Sequence, residues 1–485
     1  MFTDERRFEV WNSIRRTDLQ AFGRILNADV FDEAAKRASV KIIASPLSVI
    51  NLVWLGIVAA RCGTDSFTSV LSMTLTLLRD QPSFENSFVG RQDKACKKSK
   101  SKATGKTSKH DPRMQDRVSV SEEAFSKARQ RMPLEMWLQL IVILGELFQK
   151  KFPDANRFKK FRVLAMDGTL LNTPDVERLK THFGSSKNKT GSHNCQAKMV
   201  LLQFPITRMP YRYRLDSLAK SEITLAQDLV RDLRTDDLVL MDAGYWSYGL
   251  LCAIEKQKAY FALRLKKGIT LKTIRVLQAG DKLVQWTPKD TRRQWRNQGL
   301  PTSMKLRLVT YHIKGYRPQV IVTNVLDSKS ITKEEWTKLA SDRGTETGRA
   351  MSVGLFHKRW SIETTYHDLK VVLGLGRNLR SRSPESIQWE VAGYIVYYLI
   401  LRWLIVEASQ KAAVDPIRIS FKRAMFELTK MWSTLLTSPI KWVETELIPR
   451  LLDRMASHIV KVRPNRHYER SKKKRRNTKT KGLKG

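Results

Sequence analysis

The chain is predicted to be an α/β protein: a mixed sheet flanked by helices, interrupted by a β-rich insertion, with helical regions before and after. Three observations predict this. From residue 161 short apolar runs alternate with amphipathic helical stretches, the pattern of a layered sheet-and-helix domain. Between 266 and about 340 strand-like runs are separated by Gly and Pro. After 350 the apolar residues return to helical spacing almost throughout.

Taken in order, residues 37–80 read as two apolar helices, and 91–117 is a Lys/Ser/Thr-rich linker without apolar periodicity. Ser119 with Glu122 fits a capping box that opens a helix running to Pro133, and a strongly apolar helix, Leu134 to Phe148, follows. Lys127, Arg129 and Arg131 fall on the polar face of the first, as in a DNA-binding helix or an ordinary solvated one. Strands are expected at 161–166, 196–204, 211–219, 238–241 and 260–265, with helices at 222–234 and 247–257. The insertion contributes strands at 282–286, 305–313 and 319–325. Helices at 351–373, 385–409, 416–434 and 440–457 complete the chain, and no internal repeat is visible.

With 485 residues, 42% of them hydrophobic, there is material for about three domains at roughly 150 residues each. Lys and Arg outnumber Asp and Glu by 88 to 47, a formal charge of +41. The linker 91–117 carries +7 of this and 461–485 carries +11, so +23 is left for the folded body. An excess of that size on body and tails points to a nucleic-acid partner, whose phosphates Lys and Arg neutralise; a ribosome-associated or merely basic soluble protein is the plainer alternative. Four scattered cysteines without a C-x-x-C pair encode neither a zinc knuckle nor a disulfide framework. The start MFTDERRFEV does not look like a signal peptide, and the apolar runs at 49–60 and 391–401 are shorter than the ~20 residues a bilayer needs. The expectation is a cytoplasmic chain with no membrane partner.

Two carboxylates stand in equivalent places. Asp167 follows the run FRVLAM in MDGT, and Asp242 follows LVLM in MDAGY. Apolar strands delivering Asp at their carboxyl ends bring both to one edge of a sheet, where ligands of open α/β sheets bind and where two Asp can share a divalent cation. Each alone reads more readily as a cap or turn residue. In FHKRWSIETTYHDLK, Phe356, Arg359, Glu363, Tyr366 or His367, and Lys370 share one face of a regular helix. Over the strand ends Glu363 would complete a three-carboxylate set for Mg²⁺ or Mn²⁺, with Arg359 and Lys370 for phosphates. An exposed helix with an Arg359–Glu363 ion pair is the plainer account of that spacing. Glu222 opens the helix after the third strand, near the site or simply complementing the helix dipole. None of the histidines has zinc-site spacing.

The spacing Phe356, two residues, Arg359, three, Glu363, six, Lys370 resembles the Y-(2)-R-(3)-E-(6)-K signature of the IS-four family of bacterial DDE transposases, with Phe356 in place of its Tyr, and the resemblance implies that Phe356, Arg359 and Lys370 face DNA. MDGT and MDAGY are similar to that family's Asp segments. SKARQRMP (126–133) and LRSRSPESIQWEVAGYIVYYLILR (379–402) extend the likeness over roughly 120 to 405. The resemblance implies an RNase H-like fold in which Asp167, Asp242 and Glu363 bind two divalent ions, Mg²⁺ with Mn²⁺ as a substitute. One ion would activate a water or 3′-hydroxyl and the other would stabilise the leaving oxygen. It also implies that the 121 residues between Asp242 and Glu363 hold a β-insertion bearing an aromatic for a flipped base. Trp286 and Trp295 are the candidates, with Arg292 and Arg293 beside them, and either Trp could equally be core.

On this reading 1–150 is a helical DNA-binding region containing the linker. Residues 151–265 and 346–410 are the two parts of the catalytic domain, 266–345 the insertion, and 411–485 C-terminal helices with a basic tail. The expected activity is that of an insertion-sequence transposase, bacterial and nucleoid-associated. It would bind terminal inverted repeats, cut the element's ends and join them to target DNA, as a homodimer in a synaptic complex, with hairpin intermediates open to it. A catalytically degenerate DNA-binding protein and a metal-dependent nuclease without strand transfer are the rivals.

Overall fold

The computed structural model describes residue 22 and residues 24–42, 47–63, 69–70, 121–187, 193–288, 299–312, 318–337 and 354–460. The linker 91–117, the tail 461–485, and Arg292, Arg293 and Trp295 lie outside the described residues.

Helices α1 (Ala28–Arg37), α2 (Val49–Cys62), α3 (Glu122–Arg131) and α4 (Leu134–Lys151) precede the sheet. The cap of α3 is Ser121, whose hydroxyl accepts the Ala124 N–H at 3.1 Å, so the helix opens two residues later than the Ser119 pattern suggested. Strands β1 (Arg157–Phe158) and β2 (Phe161–Asn172) lead to α5 (Glu177–Phe183). Then follow β3 (Ser185–Lys187), β4 (His193–Phe204), β5 (Met209–Ser217), α6 (Glu222–Val230), β6 (Asp237–Met241), α7 (Tyr248–Lys256) and β7 (Tyr260–Arg264). The insertion supplies β8 (Lys272–Gln278), β9 (Asp281–Trp286), β10 (Met304–Tyr311) and β11 (Gln319–Thr323), followed by the short helix α8 (Lys333–Thr337).

Among the described residues these strands form one sheet. β4 pairs antiparallel with both β2 and β5, β2 and β6 run parallel, and so do β6 and β7. Antiparallel hairpin strands followed by parallel ones give the RNase H-like sheet that the sequence implied. The insertion continues this sheet, since β11 pairs antiparallel with β7 and carries β10, β9 and β8 outward.

Alternation along the central strands divides the core in two. Leu164, Met166, Val239, Met241, Phe261 and Leu263 face the main core with the long helices. Val163, Ala165, Leu238, Leu240 and Ala262 face a smaller one with Trp336, Leu355 and Phe356. Runs buried on both faces are why these strands read as continuous apolar stretches rather than alternating ones.

After the insertion the chain runs through a 3₁₀ helix (Leu355–Trp360), α9 (Ser361–His367) and a π-turn (Asp368–Val372), where the sequence suggested a single regular helix. Gly374 and Gly376, at φ 82° and 89°, then turn it toward α10 (Pro384–Lys411). α10 is long and apolar enough by composition to cross a membrane, yet its whole apolar stretch is buried in the protein, as befits a core helix. It packs on α2 so closely that a Cβ at Gly393 would sit 2.6 Å from the Gly56 carbonyl oxygen. Helix α11 (Phe421–Thr437), the short α12 (Ile440–Trp442) and α13 (Ile448–Ser457) close the described fold.

Candidate active site

The register of β2 and β6 sets the two aspartates side by side. Ala165 lies opposite Leu240 in the parallel pair, so Asp167 on β2 and Asp242, one residue past the end of β6, are brought level. At the usual strand spacing their backbones are about 5 Å apart. Asp167 does not end its strand. β2 continues to Asn172 because β4 keeps pairing with it, while the parallel partner β6 stops at Met241. Asp167 therefore occupies the point where one neighbour runs out and the sheet opens. Asp242 caps a 3₁₀ turn (Ala243–Tyr245), accepting the Gly244 N–H at 2.8 Å, and so is a cap residue as well as a candidate ligand.

Burial, then the Asp242 and Glu222 carboxylates, push Asp167 up to about 6 against the lowering effects of the Gly168 N–H and the Arg359 guanidinium. Glu222 is a full part of this group. Ser221 caps α6 at the Thr224 N–H, leaving Glu222 at the first helical position, and its carboxylate lies over Gly168. A Cβ at 168 would fall 2.4 Å from Glu222 Cδ, so the Gly of MDGT gives the glutamate its space. The sequence weighed Glu222 chiefly as a dipole partner, because what brings it here is the turn from β5 into α6 and not any local spacing.

Two tyrosines complete the floor. The Tyr366 hydroxyl donates to the Asp167 carbonyl oxygen at 2.6 Å, tying α9 to β2. Tyr245 is 1% exposed, its hydroxyl has no hydrogen-bond partner among the described residues, and it lies within electrostatic reach of Asp167, Asp242, Glu222 and Tyr366. Its only sequence signal was its place in MDAGY.

The four signature residues take different positions. Glu363 is exposed on α9, one turn before Tyr366, while the carboxylates that act on Asp167 are Asp242 and Glu222. Arg359 is 5% exposed, lies beside the Trp360 ring and acts on Asp167; no Arg359–Glu363 ion pair forms among the described residues. Lys370, on the π-turn, donates to Thr169 Oγ1 at 3.1 Å and to the Leu170 carbonyl at 2.9 Å, back onto β2. Phe356 corrects an expectation. At 1% exposure it belongs to the smaller core, because the 3₁₀ turn rotates it inward, and it has no surface to offer DNA.

Trp286 requires the same correction. At 6% exposure its ring packs against Trp246 and Tyr248, with centroids 5.0 and 5.1 Å away, so it is a core residue of the β9 end and not a free stacking platform.

The oxygen-only donors, with an Asp crowded by two further acids, fit a hard divalent cation by chemistry. Among the described residues no three His, Cys, Asp or Glu side chains are close enough together to hold one as they stand.

His357, beside Arg264 and Arg359, is pushed down to about 4 by burial and by these two cations, and so is neutral near pH 7. The folded value lies below the usual 6.5, so its effect is absent above pH 6.5 and destabilises the fold as pH falls toward 4. Between pH 7 and 4.5 the wild type is expected to lose up to about 2–3 kcal/mol more than His357→Gln, by denaturant titration. Equal losses would show that the ring is not held in this environment.

The family described as "Transposase DDE domain" matches residues 159–400, a span that takes in the whole site. Transposase InsG for insertion sequence element IS4, from Escherichia coli (strain K12), is 27% identical over 331 residues, covering 66% of this chain and 69% of that one.

The chain belongs to the IS-four family of DDE transposases.

It is thus an insertion-sequence transposase, an enzyme acting on DNA, and its family generally uses divalent metal ions. Among solved structures, the cryo-EM structure of piggyBac transposase synaptic complex with hairpin DNA aligns with a TM-score of 0.39 at 12% identity, over 94% of this chain and 87% of that one.

Proposed function

We propose that this transposase binds the terminal inverted repeats of its own element, cuts the phosphodiester bonds at the ends and joins the freed 3′-hydroxyls to target DNA. The observation that carries this reading is the level pair Asp167 and Asp242, with Asp167 raised to about 6 by burial and neighbouring acids. Carboxylates held together against their own repulsion make a centre suited to a divalent cation.

Asp167, Asp242 and Glu363 would hold two Mg²⁺ ions, with Mn²⁺ as a substitute. When bound, the ions supply Lewis-acid chemistry at the attacking and leaving oxygens. In cleavage a water oxygen bonds to phosphorus as the P–O3′ bond breaks, leaving a 3′-hydroxyl and a 5′-phosphate. In joining, that 3′-hydroxyl attacks a target phosphorus and a target 3′-hydroxyl departs, so one phosphodiester replaces another. Arg359 balances charge beside Asp167, and Lys370 and Tyr366 fix β2 against the segment that carries Glu363. The +41 charge supplies the sequence-independent attraction for duplex DNA, with the element ends bridged by a homodimer.

The test is incubation of a supercoiled plasmid carrying the gene's native flanks with Mg²⁺ or Mn²⁺, comparing the wild type with Asp242→Asn. Metal-dependent breaks at the flank ends and joined products, both absent in the variant, are expected. Breaks without joining would indicate a nuclease, and binding without breaks in either protein a degenerate copy.

A further inference from the structure

The two outlying sequence segments that resemble the family, SKARQRMP (126–133) and LRSRSPES (379–386), are more than 240 residues apart, yet they line one cavity of about 310 Å³. Its charged walls are Arg129 from α3, Arg178 from α5, and Arg380 and Arg382 from the turn before α10, with Ser383 and Ser386 at the mouth of that helix.

The inner wall is held rigidly. Arg129 is 6% exposed, its guanidinium lies over the Phe125 and Trp389 rings at 4.8 and 5.2 Å, and it donates to Ser381 Oγ at 3.1 Å. Burial lowers it to about 10, which keeps it charged at neutral pH. The buried Glu390 carboxylate accepts the backbone N–H groups of Arg380 and Ser381, fixing the turn that carries the other arginines. Arg178 and Arg382 form an exposed rim, where the Glu385 carboxylate lies 3.3 Å from Arg178. Both partners of that pair are more than half exposed, so it is weak and readily exchanged for another anion.

Four guanidinium groups against Glu385 and the buried Glu390 leave a net charge of +2 around the pocket. The mouth adds hydroxyls and the positive end of a 28-residue helix. A tetrahedral dianion or a phosphodiester matches this chemistry, since arginine forks and helix N-termini both recognise phosphate oxygens. The position favours the phosphodiester. The strand that carries Asp167, β2, ends at Asn172, and the chain leads from there into α5, which carries Arg178, so the pocket and the carboxylates are joined by one short stretch of chain.

We propose that this pocket seats one backbone phosphate of the DNA being cut, at a position other than the bond that is cut. It deepens the DNA-cleaving reading above and rests on it. Phosphate contacts fix register without reading sequence, so the pocket would set where along the DNA the cut falls.

The test pairs full-length wild type with Arg178→Gln/Arg382→Gln, both exposed positions whose loss leaves the buried wall intact. Binding of end DNA is measured by fluorescence anisotropy across a salt series in Ca²⁺. The variant should bind about tenfold more weakly near physiological salt, with a salt slope shallower by about 1, the signature of one lost phosphate contact. A scan of single neutral methylphosphonates should find one position that weakens the wild type to the same degree and does nothing further to the variant. Its location in element or target DNA names the source of the phosphate. Identical affinity and slope in both proteins, or additive losses at every scanned phosphate, would overturn the pocket while the cleavage reading stands. A wild type that binds no DNA would overturn both.

Discussion

Asp167→Asn is expected to lose more than a thousandfold in DNA cleavage while becoming the more stable protein when no divalent cation is present. The two effects have one origin. The carboxylate is held at about 6 by burial and by Asp242 and Glu222, above its usual 3.8. The folded chain therefore binds that proton more tightly than the unfolded one. This contribution is fully present below about pH 4 and is lost as pH rises through about 6. A shift of roughly two units corresponds to about 3 kcal/mol as an upper limit, so a metal-free wild type should weaken between pH 4 and 7. Asparagine keeps the shape and removes the charge, and its curve should be flatter. A divalent ion should stabilise the wild type and leave the variant unchanged, while the loss of several kcal/mol of transition-state stabilisation removes cleavage. Thermal melts with chelator and with Mn²⁺, run beside the cleavage assay, check all of this. Parallel pH curves for the two proteins would mean that Asp167 does not carry the strained charge.

Much of this centre was legible because its causes are local. A buried strand shows as an apolar run, and the Asp that follows it marks where the sheet opens, so FRVLAM and LVLM located Asp167 and Asp242. The length of β2 was not legible. It depends on β4, whose pairing with residues 165–172 carries the strand past the point where β6 ends. The segment 355–372 shows the limit of periodicity. A uniform 3.6-residue spacing puts Phe356 and Glu363 on one face, but the 3₁₀ start and the π-turn shift the pitch, burying Phe356 and directing Lys370 onto β2. Arg129 misled for a related reason. A cation among polar neighbours reads as solvated, and only the approach of Phe125 and Trp389 makes it an interior group. Glu222 and Tyr245 reach the site through turns between elements, which leave no trace in residue spacing.

Arg307→Met is expected to destabilise the protein by about 3–5 kcal/mol, and adding Asp281→Leu to recover more than half of that loss. The Arg307 guanidinium grips both oxygens of Asp281 at 2.8 and 2.6 Å, and both side chains are fully buried. Asp281 opens β9, and Arg307 lies within β10, across from Leu283. The same guanidinium donates to the Ile331 carbonyl at 2.7 Å, so one residue joins the β9–β10 pair to the turn before α8. Removing only the arginine leaves a carboxylate in an apolar interior with nothing to balance it, and that desolvated charge is the main source of the loss. Replacing both ends with apolar groups removes the unbalanced charge, leaving the Ile331 carbonyl as a smaller residual cost of about 1–3 kcal/mol. Urea titration of the single and double variants separates these terms, and a double variant as unstable as the single would show that the arginine acts by packing and not by pairing. Because β11 joins these strands to β7, loosening them should also reduce plasmid cleavage, while Mn²⁺ stabilisation through Asp167 on β2 and Asp242 just past β6 survives.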